Sequence, residues 1–255
     1  MIQIHNLFKS FNEKPVLRGV ELTIPTGSTF FIIGPSGCGK SVMLKHIVGL
    51  LTPDKGEVLV DGKNIGKMKE KELYELRRHF GFLFQGAALF DSMTVAENIA
   101  LGLIEHGERD EYKIARIVSE KLELVGLPGT EEIKPAELSG GMKKRVGLAR
   151  ALAQNPEYIF YDEPTTGLDP IMSDQIDELI ADITNKVKVT SVVVTHDMFS
   201  VEKIANRVAM MHKGKIYFQG TPQELLNNPD PVVVEFIERF GFSAHRKLAT
   251  AADLR

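Results

Sequence analysis

The feature that most constrains this chain is the loop Gly34-Pro35-Ser36-Gly37-Cys38-Gly39-Lys40-Ser41. It follows the apolar run Thr29 to Ile33 and precedes a helix-like segment, Ser41 to Leu51. The loop fits the pattern GxxxxGK[ST] in the strand-loop-helix setting that gives the pattern its meaning. Its glycines let the backbone turn tightly, so that successive N–H groups point inward, and the N-terminal end of the following helix adds positive potential. Such a loop cradles phosphate. Lys40 is expected to reach the outer phosphates of a nucleotide, and the Ser41 hydroxyl to ligate Mg²⁺. Residues Gly34, Pro35, Ser36, Gly37, Cys38, Gly39, Lys40, Ser41 and Val42 form the expected nucleotide contact. Cys38 stands at a free position of the loop, where a small residue suffices; proximity to the helix N-terminus would lower its thiol pKa.

A second constellation lies downstream. The apolar run Tyr158 to Tyr161 ends in Asp162-Glu163, and two carboxylates at the end of a buried strand cost too much to leave uncompensated. They need a cation. Asp162 suits Mg²⁺, directly or through water, and Glu163 can polarise an attacking water. His196 closes the next apolar run, Ser191 to Thr195. If the two runs are parallel neighbours, His196 sits at the same sheet edge, placed to hydrogen-bond a γ-phosphate. The other six histidines show no metal-ligand spacing.

The rest of the chain reads as one α/β unit with an insert. β-rich runs at Ile2–Leu7, Val20–Ile24, Thr29–Ile33, Glu57–Val60 and Phe80–Phe84 give way, between about Gly86 and Asn155, to helical periodicity at Val95–Ile104, Glu111–Val125 and Gly140–Ala153. Alternation then resumes: a strand at Tyr158–Tyr161, a helix at Met172–Asn185, a strand at Val189–Thr195 and a helix at Phe199–Ala205. A hairpin is expected about Lys213-Gly214, and Asp230-Pro231 opens a last helix, Val232–Phe240. Composition bounds the function classes. With 43% hydrophobic and 25% charged residues the chain of 255 residues is globular rather than disordered, and a formal charge of −3 lacks the basic excess of a dedicated nucleic-acid binder. Lys143-Lys144-Arg145 reads as a solvated helix face, so nucleic acid is not an expected partner. The single cysteine fits a reducing compartment. The apolar runs are strand-length, well short of the roughly 20 residues of a bilayer helix. Nor does the first stretch suit a secretory signal. A cytoplasmic location is expected.

Leu138-Ser139-Gly140-Gly141-Met142, lying 20 residues before Asp162, narrows the reading. The chain resembles the ATP-binding cassette (ABC) ATPases, whose signature is Leu-Ser-Gly-Gly-Gln; here Met142 replaces the glutamine. Phe11 matches the aromatic that stacks on adenine, Gln85 the glutamine loop, Thr166-Gly167-Leu168-Asp169 the loop after the catalytic glutamate, and His196 the switch histidine. The resemblance implies an α/β P-loop NTPase (RecA-like) core with an N-terminal antiparallel β-subdomain and a helical subdomain insert. The core is then 1–85 and 156–220, the helical subdomain 86–155, the C-terminal helices 221–240 and the tail 241–255. It implies ATP and Mg²⁺ as ligands, with Ser41, Gln85 and Asp162 at the metal and Lys40, Gln85, Glu163 and His196 in catalysis. It further implies a head-to-tail dimer. Ser139, Gly140 and Gly141 open a helix whose N-terminus can accept an anion, and in the family that end faces the γ-phosphate on the partner subunit; Asp169 is a further expected nucleotide contact. A single cassette with no coiled-coil insertion and no second cassette fits the motor subunit of a membrane permease. A soluble ATPase acting on DNA or ribosomes fits less well, and a P-loop kinase leaves the signature unused. A finer resemblance, to the ATPases of lipid transporters that work with mammalian-cell-entry (MCE) domain proteins, is carried by Gly39 to His46, Gly86 to Met93, Met142 and Asn228 to Pro231. It implies a permease, an MCE-type protein and a peripheral place on the cytoplasmic face of the cell membrane.

Overall fold

Two sheets carry the structure, a computed structural model that describes residues 1–239. The first is antiparallel. β1 (Ile2–Phe11) and β2 (Lys14–Ile24) form a hairpin across Asn12-Glu13, both with positive φ as the tight two-residue turn requires. The runs expected at Ile2–Leu7 and Val20–Ile24 are the buried halves of these longer strands. Their outer halves carry Lys9, Ser10, Lys14 and Pro15 and show no apolar alternation.

From the second sheet come the strands that aim the site. β3 (Thr29–Ile33) runs straight into the glycine-rich loop and then α1 (Lys40–Ile47). This helix stops short of the expected Leu51, because Gly49 takes φ +70°. β4 (Lys55–Val60) then returns to pair with β1, and the two-residue β5 (Lys63–Asn64) folds back on β4 across Asp61-Gly62, completing the first sheet in the order β2-β1-β4-β5.

A helix that the sequence pattern conceals follows: α2 (Glu70–Arg77), with no fully buried residue. Only Leu73 and Leu76 turn toward the core, so its sequence reads as a charged loop; the Glu72 carboxylate caps it by accepting from the Lys69 N–H at 2.8 Å. β6 (Phe80–Leu83) leads into the helical insert, formed by α3 (Val95–Glu105), α4 (Glu111–Leu124) and α5 (Gly140–Leu152), each within one residue of its expected bounds. Thr94, Asp110 and Ser139 cap their N-termini through side-chain oxygens.

The chain then returns to the second sheet through β7 (Tyr158–Asp162), α6 (Pro170–Val187), β8 (Thr190–Val194), α7 (Met198–Ile204), β9 (Arg207–His212) and β10 (Lys215–Gly220). Its order is β10-β9-β3-β8-β7-β6, parallel throughout except for the β9–β10 hairpin over Lys213-Gly214. α8 (Pro222–Leu226) and α9 (Pro231–Arg239) close the described chain; Asp230 caps α9, accepting from Val232 N–H at 2.8 Å. The tail 241–255 lies outside the described residues.

Burial on both faces explains why β3, β7 and β8 read as unbroken apolar runs. Along them the side chains alternate between two cores. Phe31, Ile33, Ile159, Tyr161 and Val193 join the helical insert and α6. Phe30, Ile32, Tyr158, Phe160, Val192 and Val194 join α1 and the antiparallel sheet. With both faces filled, function is left to the loops at the C-terminal ends of the parallel strands.

Candidate active site

Gly34, the first residue after β3, has φ +145°, and a Cβ there would come within 2.3 Å of the Met211 carbonyl; only glycine lets the loop leave the sheet in this direction. The loop closes on its own lysine. Lys40 is buried, and its ammonium donates to the carbonyls of Gly34 at 2.7 Å and Pro35 at 3.2 Å. The Ser41 hydroxyl donates to Asp162 Oδ1 at 3.4 Å, so strand β7 brings its carboxylate to the start of α1, 121 residues away in sequence.

β7 and β8 are parallel neighbours, as the reading of His196 required. Glu163 follows β7 with φ +50°, a left-handed conformation uncommon for a residue with a Cβ, and its N–H is held by the Val194 carbonyl at 2.8 Å. That turn aims its carboxylate at the end of β8. Oε2 accepts from Thr166 Oγ1 at 3.1 Å and from Thr195 Oγ1 at 3.2 Å, and His196 Nδ1 stands 2.9 Å from the same oxygen and 3.1 Å from Oε1. His196 thus lies against Glu163, an ion pair whenever the imidazole is protonated.

These groups meet in one cavity of about 320 Å³. Ser36, Gly37, Gly39, Lys40, Ser41 and Val42 form one wall, and Gln85, Asp162, Glu163 and His196 the other. A larger cleft, about 730 Å³, opens near the ends of α3 and α5, but it holds none of the expected site residues. Its polar groups already have partners: Arg78 pairs with Glu75 and Lys113 with Glu108, and His79 Nδ1 lies 3.0 Å from Glu157. Chemistry selects the smaller cavity.

The metal expectation can be tested on the donor set. Burial, and then the neighbouring charge of Glu163, push the Asp162 carboxyl above the usual carboxylate range. A hydroxyl and a desolvated carboxylate converging at one edge are hard oxygen donors short of positive charge, and the residues present fit Mg²⁺.

Several expected site residues lie outside this cavity. Phe11 ends β1, partly exposed, with the Lys9 ammonium 5.6 Å from its ring centroid. Ser139 caps α5, accepting from the Met142 N–H at 3.3 Å; Gly140 and Gly141 form the first turn; Asp169 caps α6 through Met172 N–H at 3.0 Å. None of these five residues lines the loop's cavity. Met142, the departure from the usual glutamine, packs its side chain against the core.

Two sequence expectations are corrected. The Cys38 thiol is not lowered: it is buried, and desolvation pushes its pKa up, outweighing the opposing charge of Lys40. Lys144 is not on a solvated face. It is buried at 5% exposure, and its ammonium donates to the Gln85 carbonyl and, at 3.2 Å, to the Glu163 carbonyl. Burial lowers its pKa, and the charges of Glu163 and Asp162 resist that fall. Arg145 also turns inward, donating to the Val125 carbonyl at 2.9 Å. Sequence reasoning missed Thr195, Lys144 and Arg150 as groups shaping the site. The signal for Lys144 was Gly147, one helical turn on along the same face, since a glycine inside a helix marks a close approach.

Comparison with known proteins places this geometry. The family described as ABC transporter matches residues 17–166. Probable ribonucleotide transport ATP-binding protein mkl of Mycobacterium tuberculosis is 42% identical over 257 residues, spanning 99% of this chain and 72% of that protein. Intermembrane phospholipid transport system ATP-binding protein MlaF of Escherichia coli is 42% identical over 223 residues, spanning 88% and 83%. Among solved structures, a dimeric post-hydrolysis state of the ATP-binding cassette MJ0796, bound to ADP and Pi, superposes with a TM-score of 0.79 at 33% identity, covering 87% of this chain and 99% of that one.

Proposed function

Because this chain belongs to the ABC transporter ATPases, we propose that it is the ATP-hydrolysing subunit of a phospholipid transporter, working as a head-to-tail pair beneath a membrane permease. The observation that carries this reading is the division of the motifs. One cavity gathers Ser36, Gly37, Gly39, Lys40 and Ser41 of the phosphate loop with Gln85, Asp162, Glu163 and His196, while Ser139, Gly140, Gly141 and Asp169 stand outside it. A second copy supplies what one cavity lacks.

In this mechanism backbone N–H groups of Gly37 to Lys40 and the start of α1 receive the phosphates, and the Lys40 ammonium turns from the loop carbonyls to the outer phosphates. Phe11 stacks on the base. Ser41, Gln85 and Asp162 would hold Mg²⁺, which when bound neutralises phosphate charge. Glu163, oriented by Thr166 and Thr195, positions and polarises the attacking water, and His196 steadies the γ-phosphate. Closure brings the partner's copy of the signature helix start onto the same nucleotide, and closing and opening drive the permease. Among the described residues no helix is long and apolar enough to cross a membrane, so membrane association goes through that permease. Phe84 and Phe90, 43% and 51% exposed on either side of the glutamine segment, offer it an apolar contact. The division into core, helical subdomain and C-terminal helices follows the same reading; the kinship with MlaF supports phospholipid as cargo, and an MCE-type protein as a further partner rests on the finer resemblance carried by Gly39 to His46, Gly86 to Met93, Met142 and Asn228 to Pro231.

Glu163→Gln tests the site. It should keep ATP binding, lose on the order of 10² to 10⁴ in turnover, and accumulate as an ATP-dependent dimer on size-exclusion chromatography. Undiminished turnover would remove Glu163 from its role. Purifying the native complex from membranes and identifying its bound protein and lipid tests the cargo; a complex without phospholipid or permease would overturn that part.

A further inference from the structure

Lys144 sits in the second turn of α5, the helix that begins at the signature residues. Its buried ammonium donates to the main-chain oxygens of Gln85 and Glu163. Gln85 follows β6 and Glu163 follows β7, so one cation spans the C-terminal ends of two paired parallel strands. The same helix grips the glutamine segment twice more. The Arg150 guanidinium donates to the carbonyls of Ala87 and Ala88, each at 2.7 Å. Both alanines take left-handed conformations, φ +59° and +49°, that a residue with a Cβ adopts only when its surroundings hold it there. Between these two cations lies Gly147, where a Cβ would stand 3.3 Å from that of Ala87. α5 therefore fixes residues 85–88 through their backbone oxygens.

We infer that Lys144 is a positioning residue for ATP hydrolysis: it ties the signature helix to the main chain of both Gln85 and Glu163. A movement of α5 is thereby delivered to the glutamine segment and to the water-polarising carboxylate of the same chain. Two carbonyls converging on one buried spot need a donor with more than one N–H, and the nearby carboxylates of Asp162 and Glu163 favour a charged one. In the dimer, α5 of one chain touches the nucleotide of the other, so Lys144 also links the two composite sites. That last link rests on the head-to-tail reading above; the positioning of Gln85 and Glu163 does not.

Lys144→Met keeps the length and bulk of the side chain and removes its donors. In steady-state ATPase assays of the full chain, kcat should fall on the order of 10- to 10²-fold, as expected when a reacting group is misplaced by about an ångström. The KM for ATP should stay within about threefold, and Lys144→Arg, which can donate to both carbonyls, should restore most of kcat. If Lys144→Met is recovered unfolded, Lys144→Gln, which keeps an amide donor without the charge, carries the same kcat-against-KM comparison. Unchanged kcat, equal loss of kcat and ATP binding, or an arginine variant no better than methionine would overturn the inference. Sizing Glu163→Gln with ATP separates the two readings. A dimer there beside unchanged Lys144→Met turnover sinks the inference alone. Absence of the dimer sinks the head-to-tail reading and the link between sites, and leaves the positioning role to the kcat comparison.

Discussion

The phosphate loop and the signature helix begin alike: each is a glycine-rich entry into a helix, whose N-terminal end favours an anion. They differ in what surrounds them. The loop at Gly34 to Ser41 faces Asp162, Glu163 and His196 within its own chain, whereas the helix start at Ser139 to Gly141 lies outside the cavity that holds them. The first gathers a constellation within one chain; in the head-to-tail pair proposed above, the second is half of a site that another copy completes. Their settings separate them: α1 follows strand β3 directly, whereas α5 starts within the helical insert and runs on toward β7.

Lys40→Ala strikes the complete half and should have the largest effect. Losing a charge-assisted contact to phosphate should weaken ATP binding by on the order of 10²-fold, read by equilibrium titration with a fluorescent nucleotide, with hydrolysis falling alongside. Gly141→Ala strikes the incomplete half. The new Cβ would lie 1.9 Å from the Met172 terminal methyl, the far end of a flexible side chain that can swing away, so the chain should still fold. Its kcat should fall on the order of tenfold while ATP affinity stays within about threefold, because only the partner's nucleotide feels the change. Equal losses of binding in the two variants would break the comparison.

Asp177, buried between α6 and α7, belongs to neither half and offers the smallest effect. Its Oδ2 accepts from Ser200 Oγ at 2.7 Å, but Oδ1 has no protein partner, and burial raises its pKa from 3.8 to about 6. The folded state therefore holds a proton there that the unfolded state releases, so stability falls as pH rises from about 4 to about 6 and the loss is complete above that. Asp177→Asn should flatten this dependence and stabilise the protein at pH 8 by about 1 to 3 kcal/mol in denaturant titrations, leaving ATP turnover unchanged.

Most of the site was legible because phosphate chemistry demands particular residue types at fixed spacing, and because buried parallel strands announce themselves as apolar runs that end where the chemistry begins. The fold was legible where one face of an element is apolar over several residues, as in α3 and α4. It failed where amphipathicity is thin, as in α2, whose only inward residues are Leu73 and Leu76. Local electrostatics misled in two places. Cys38 stands near a helix N-terminus, yet its burial outweighs the Lys40 charge and the backbone donors around it. Lys144 lies in a run of three basic residues that reads as solvated, yet the close approach of α5 to β6, through Gly147 and Gly81, carries it under the surface.

The sequence alone determined the phosphate loop, the acidic pair at the end of a buried strand, the histidine on the strand beside it and the signature at its distance from both. These follow from backbone conformations and charges that only certain residues supply. Tertiary structure decided which of those motifs share a cavity, that Glu163 is held by Thr166 and Thr195, and that a lysine from the signature helix fastens the glutamine segment to the catalytic turn. The reason is physical: burial and hydrogen-bond partners depend on where helices cross the sheet, and that geometry is summed over many weak contacts that no short run of residues encodes.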